Sequence, residues 1–332
     1  MTTNTKNGNG QAVKQAVDVE ELSVAHIEHT RAINFMRLAP YMTGLSIIMT
    51  VGAILLLVFK GLNLGLDFTG GTLLEVRYAQ EANLEQVRSQ LAAAGHKEAV
   101  VQHFGTPRDV LIRIPPEEGT DQARLGTAVA EALQAASPDM IVSRTEFVGP
   151  AVGKELRDDS GTALLMSLLL MMLFVSFRFV WRLSLGSVLA LGHDAIIVIG
   201  CFALFQWTFD LTVLAAVLAI IGYSINESIV VGDRVRENFR ILRKGTTPEI
   251  INGAVTQTLS RTVMTASTTF LSACALFIWG GDAIHNFALA MMIGVSFGTY
   301  SSVFVASSLM MYLGVSRDDF VVQKVEEIDD RP

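Results

Sequence analysis

Charge is scarce in this chain. Charged residues fill 17% of its 332 positions, against roughly 25% in an average globular domain. Hydrophobic residues reach 51%, and mean hydropathy is +0.43. The shortage is local. From Thr162 to Val231 the only formal charges are Arg178, Arg182, Asp194, Asp210 and Glu227, and from Thr262 to Ser316 only Asp282. Such stretches cannot face water, so the chain reads as an integral membrane protein. Cysteine is nearly missing too. Cys201 and Cys274 lie inside apolar runs, which excludes a disulfide framework and fits small packing residues. A net charge of −7 offers no basic face to nucleic acid. No basic stretch leads directly into an apolar core within the first forty residues, so no cleaved secretory signal is expected. Residues 1–15, rich in Thr, Asn, Gly and Gln, read as a disordered tail. HExxH, the P-loop and Gly-x-Ser-x-Gly are all lacking. An enzyme, a cofactor and a metal site are therefore not expected.

A membrane-crossing helix needs about 20 mostly apolar residues. Runs at 41–59, 161–177, 183–205, 211–231, 258–279 and 284–313 qualify, the last overlong and expected to begin late or to tilt. The chain divides into a segment at 1–40, a first span at 41–60, an insert at 61–159, a five-span bundle at 160–313 and a tail at 314–332. Lys and Arg in short connections mark the cytoplasmic side. Arg178 and Arg182 flank the second-to-third connection; Arg234, Arg236, Arg240, Arg243 and Lys244 fill the fourth-to-fifth. Segments 206–210 and 280–285 hold neither type. With Arg31 and Arg37 before the first span, these basic residues share one side, and Lys60 alone falls on the other. Both termini are expected in the cytoplasm, and the insert in the periplasm of a bacterium with two membranes.

The insert reads as a small α+β domain. Leu74, Val76 and Tyr78 alternate along one face of a strand at 72–78. Asn83, with Gln86 three residues on, resembles a helix start, and Leu84, Val87 and Leu91 share the following helical face. Further strands are expected at 100–104, at Val110, Ile112 and Ile114, and at 141–148, with a helix carrying Leu125, Val129 and Leu133 between the last two. This β-α-β-β-α-β order is the ferredoxin-like pattern.

Polar residues inside a span are informative, because a charge near the bilayer centre costs a few kcal/mol. Asp194 stands about 16 Å into the third span at 1.5 Å per residue. Glu227 lies toward the cytoplasmic end of the fourth, and Arg261 a few residues into the fifth from the same side, so the two are predicted to pair across the helix interface. Such a pair is either a static clasp that fixes register or a proton relay whose carboxylate is tuned by the arginine. Thr258, Thr262, Thr265, Thr269 and Ser272 form a hydroxylated stripe beside Arg261. It either bonds its own backbone and glues helices or lines a hydrated path. Gly294 and Gly298 read as a close helix-packing surface. His193, beside Asp194, is a candidate proton shuttle.

Four motifs carry a resemblance. Gly65-Leu66-Asp67-Phe68-Thr69-Gly70-Gly71, Gly192-His193-Asp194, Gly222-Tyr223-Ser224-Ile225-Asn226-Glu227 and Asp233-Arg234-Val235-Arg236-Glu237-Asn238, in this order and spacing, resemble the SecF family of protein-export subunits within the resistance-nodulation-division superfamily. The resemblance implies six spans, an external domain after the first, and a location in the bacterial inner membrane. It also implies a like-built partner, SecD, together with the SecYEG channel, YajC, unfolded preproteins and membrane lipids. The family's role is to use the proton gradient to help draw preproteins outward. Asp67, Gly70, Gly71, Gly192, His193 and Asn226 match structural motif positions, while Glu227, Arg261 and Asp194 match the proton-handling ones. Where the family commonly has Asp after the Asn, this chain has Glu227, one methylene longer. One charge crossing 100 mV yields about 2.3 kcal/mol, enough to bias a hinge. The competing classes are half of a proton-driven exporter of lipid or small molecules, and a scaffold whose buried charges only fix assembly.

Overall fold

The computed structural model describes residues 32–116, 122–242 and 244–320. The tail expected at 1–15 and the last residues of the C-terminal segment lie outside them. Among the described residues, six helices are long and apolar enough to cross a membrane. The chain is a multi-pass membrane protein.

Helix α1 (Ala39–Phe59) ends at Lys60. A two-residue strand β1 (Asn63–Leu64) and a single helical turn α2 (Leu66–Thr69) lead into the insert. There follow β2 (Gly71–Arg77), α3 (Leu84–Ala93), β3 (Val100–Phe104), β4 (Thr106–Ile114), α4 (Gln122–Ala136) and β5 (Ile141–Val148). The sheet is antiparallel in the order β3-β4-β2-β5. The first strand in sequence is thus central, as the ferredoxin-like pattern requires. Helix α3 starts where expected: the Asn83 side chain accepts from the Glu85 and Gln86 amides at 3.0 and 3.3 Å, filling orphan donors of the first turn. Leu74, Val76, Val110, Ile112 and Ile114 meet Val87, Leu91, Val129 and Leu133 in one core. The other sheet face is not bare. Leu73 and Leu111 pack there on Leu66 of α2, so this face is turned toward the helical bundle.

The bundle comprises α5 (Pro150–Arg178), α6 (Trp181–Phe205), α7 (Leu211–Ile241), α8 (Thr247–Trp279) and a last span from α9 (Asp282–Tyr300) through a π-helical turn (Ser301–Ala306) to α10 (Ser307–Tyr312). A short strand β6 (Thr208–Phe209) pairs in parallel with β1. Four expectations need correction. Helix α5 starts at Pro150 rather than near 161, since Pro is pre-organised for a first helical turn and a polar helix is stable above an apolar one. The motif at 233–238, expected in a loop, is helical, and α8 begins at Thr247 rather than 258. Hydropathy marks lipid exposure, whereas here Val235, Phe239, Ile250, Ile251, Ala254 and Val255 continue the packed interface beyond it. A Thr246–Glu249 capping box starts α8. The last span begins at Asp282, so it does not begin late.

Packing is unequal. Of the most apolar window of each helix, 56% is buried in α6, 50% in α7 and 44% in the last span, against 11% in α1, 6% in α5 and 11% in α8. Three helices form the core and three the margin. Gly294 and Gly298 make the expected close surface, Gly294 against Ile220 and Gly298 against Ser224 and Asp194.

Candidate functional site

Asp194 lies within the core and is wholly buried. Its Oδ1 stands 3.0 Å from His193 Nδ1, and its Oδ2 accepts the Ser224 hydroxyl of α7 at 2.5 Å. Ser301, first residue of the π turn, faces the same carboxylate. A π turn adds a residue to one helical turn and is frequent at functional sites; here it carries Ser301 to the acid. The sequence showed no basic partner for Asp194, and none but the imidazole of His193 touches it among the described residues. Sequence alone assigns neither Ser224, a motif letter, nor Ser301, beside the Gly294 and Gly298 packing surface, to the acid, because a serine in a span carries no mark of its use.

Glu227 lies one turn along α7 from Ser224 and is also buried. Its Oε1 accepts the Thr265 hydroxyl of α8 at 2.7 Å, while its Oε2 has no hydrogen-bond partner among the described residues. The expected pair with Arg261 is not formed. Arg261 is exposed and makes no ion pair among the described residues. The cause is helix geometry. Side chains lean toward their own helix's N-terminus, and α7 and α8 run antiparallel. Glu227 therefore leans toward the insert and Arg261 away from it, and the acid meets the residue one turn further along, Thr265. Of the hydroxylated stripe, only Thr265 reaches across. Thr258, Thr269 and Ser272 bond carbonyls of their own helix at 2.9–3.2 Å, and the buried Thr262 hydroxyl has no partner among the described residues.

The remaining motif residues fall into two groups. Gly192 has open space where a Cβ would be, and Asn226 is exposed; nothing within this chain explains either. Asp67, Gly70 and Gly71 are explained fully. Gly70 and Gly71 have φ of +69° and +110°, values that other residues rarely adopt. A side chain on Gly71 would strike the Ile114 carbonyl, and one on Gly70 would come within 3.0 Å of Pro150. The pair makes the tight entry into β2. Asp67 Oδ2 accepts the Leu211 amide at the head of α7 at 3.0 Å. Beside it, Arg113 of β4 donates to Asn63 Oδ1 at 3.3 Å and to the Leu64 carbonyl at 3.0 Å. Burial at this joint pushes the Arg113 guanidinium below its usual range.

The family described as protein export membrane protein SecD/SecF, C-terminal, matches residues 128–316, which include Asp194, Glu227 and Arg261. The SecD/SecF GG motif matches residues 55–82, which include Asp67, Gly70 and Gly71. The protein translocase subunit SecF of Pseudomonas aeruginosa is 48% identical over 303 residues, covering 90% of this chain and 98% of that protein. The chain belongs to the SecF family. The protein translocase subunit SecDF of Thermus thermophilus is 40% identical over 284 residues, 84% of this chain and 38% of that protein. The crystal structure of SecDF from Thermus, described as a translocon-associated membrane protein, superposes with a TM-score of 0.77 at 40% identity, covering 85% of this chain and 39% of that one. SecDF in a super-membrane-facing form superposes with a TM-score of 0.63 over the same 85% of this chain. The chain therefore spans about two fifths of those SecDF chains, whereas the match to the Pseudomonas SecF covers 98% of that protein.

Proposed function

We propose that this chain is an accessory subunit of the bacterial Sec translocase that works with a SecD-like partner and uses the proton gradient to promote preprotein movement across the inner membrane. Its termini then lie in the cytoplasm and its ferredoxin-like domain in the periplasm, the orientation favoured by the basic residues at the ends of α5, α6 and α7. The observation that carries the proton step is the Glu227 carboxylate, buried in mid-span with one oxygen bonded to Thr265 and the other free to take a proton. A carboxylate charge buried without a cation beside it is costly. Arg261, on the next helix but turned away, is that cation in another arrangement of α7 and α8. Asp194, held by Ser224 one turn away, is the second acid of the relay. SecYEG and YajC act as further partners, and the non-enzymatic character of the family applies.

The partner is supported by the margin of the bundle. Asn226 and Arg261 are polar groups inside spans that this chain leaves exposed, a costly arrangement against lipid, and a like-built subunit covers them. The test is gradient-driven preprotein export in membrane vesicles. Glu227→Gln keeps size and the Thr265 bond but cannot ionise; the gradient-dependent part of export should fall about a hundredfold or to background, the range of a lost proton-transfer group. Full gradient-dependent export by Glu227→Gln would make the buried acid a structural clasp.

A further inference from the structure

We propose that Asp67 is the positioning residue that couples the proton-driven shift of α7 to the inserted domain. The inference rests on the reading of Glu227 given above and adds the mechanical step that follows it. Helix α7 runs without a break from Leu211 to Ile241, so Glu227 and Leu211 belong to one rod, about 24 Å apart at 1.5 Å per residue. At the head of that rod the amides have no partner within the helix. Asp210 serves Val213 at 2.9 Å and the Thr212 hydroxyl at 2.6 Å. The Leu211 amide is left, and Asp67 takes it. A carboxylate suits this place better than an amide, because its charge also meets the positive end of the helix dipole.

What lies behind Asp67 makes the bond a lever. The α2 turn passes through Gly70 and Gly71 directly into β2, the central strand of the sheet. The turn cannot shift alone. Leu66 and Phe68 are buried, Phe68 stacks on Phe209 with ring centres 6.0 Å apart, and the Gly65 amide donates to the Phe209 carbonyl at 2.7 Å. A Cβ on Gly153 of α5 would stand only 2.8 Å from the Gly70 amide nitrogen. A displacement of α7 along its axis thus reaches the α2 turn through Asp67 as well as through Phe209, and the stiff turn hands it to the sheet.

The two ends of the bond can be cut independently. Asp67→Ala removes the acceptor. Leu211→Pro removes the donor and spares the helix, since Pro is at home in the first helical position and Asp210 already has the extended backbone (φ −117°, ψ −177°) that a residue before Pro needs. In vesicles from cells whose own copy is replaced, two quantities are read: proton influx and the gradient-dependent increment of preprotein export. For both variants influx should stay near wild type while the export increment falls about fivefold or more, the low end of coupling between linked sites. Asp67→Asn, which keeps an acceptor oxygen, should recover most of the increment. Combining Asp67→Ala with Leu211→Pro should cost no more than the worse single change, because the link is already cut. Influx and export falling together, neither falling, or the two changes adding in full would each overturn the proposal. Glu227→Gln separates the two levels: it should abolish influx and export alike, and if influx persists there, the relay itself fails whatever Asp67 does.

Discussion

The two buried acids of this protein stand on neighbouring helices, Asp194 of α6 held by Ser224, which lies one turn along α7 from Glu227, yet they occupy opposite kinds of surroundings. Around Asp194 the chain closes on itself. Its partners come from α6, α7 and the last span, the three helices that bury about half of their apolar windows, and both carboxylate oxygens are bonded. Around Glu227 the chain is left open. Its one bond comes from α8, of which 11% is buried, and the arginine expected beside it faces outward. A site that is fully bonded within one chain resists change; one bonded on a single side is poised for it. The comparison supports the reading proposed above, in which Glu227 is the acid that changes and Asp194 the firmly held second acid of the relay.

The largest effect that would break this comparison belongs to Asp194. Asp194→Ala leaves His193 and the Ser224 hydroxyl buried without their acceptor, and breaking such a buried polar network typically costs about 3–5 kcal/mol. Unfolding of the purified chain in detergent should show this loss directly. A change at Asp194 as mild as one at the α7–α8 seam would erase the distinction. The next effect is smaller. Thr265→Val removes the single donor on Glu227 at nearly constant volume and should cost about 1–3 kcal/mol, the penalty for one buried acceptor left unpaired. It should also weaken gradient-dependent export less than Glu227→Gln does, because the carboxyl itself remains.

Much of the fold was legible because two kinds of signal were strong. The alternation of Leu74 with Val76, and of Val110 with Ile112 and Ile114, reported a sheet with one face in a core, and the order of strands and helices followed. The spans followed from hydropathy, but their ends did not. Val235, Phe239 and Ile251 are buried by protein rather than by lipid, and a hydropathy window cannot tell where a helix continues outside the membrane. The pairing of Glu227 was illegible for a different reason. Depth along a helix can be counted from sequence, whereas the lean of each side chain toward its N-terminus displaces contacts between antiparallel helices by about a turn. Thr265 was therefore visible only as one hydroxyl in a stripe, and Asp67 only as a motif letter, because its partner is a backbone amide far along the chain.

The smallest effect on stability is the sharpest test of the open side. Arg261 is exposed and forms no ion pair among the described residues, so Arg261→Ala should change the unfolding free energy of the isolated chain by no more than about 0.5 kcal/mol, as for other surface positions. In the assembled complex the same substitution meets a different physics. If a partner subunit covers α8, the guanidinium is desolvated there, and truncating a charged group at such a centre typically costs about 2 kcal/mol or more. Unfolding of the lone chain should thus be nearly unchanged, while its retention by the SecD-like partner, measured by co-purification from the same membranes, should drop. Gradient-dependent export should drop with it. A substitution that destabilises the lone chain as much as Thr265→Val would mean that Arg261 is already engaged inside this subunit, and the seam around Glu227 would then be as closed as the pocket around Asp194.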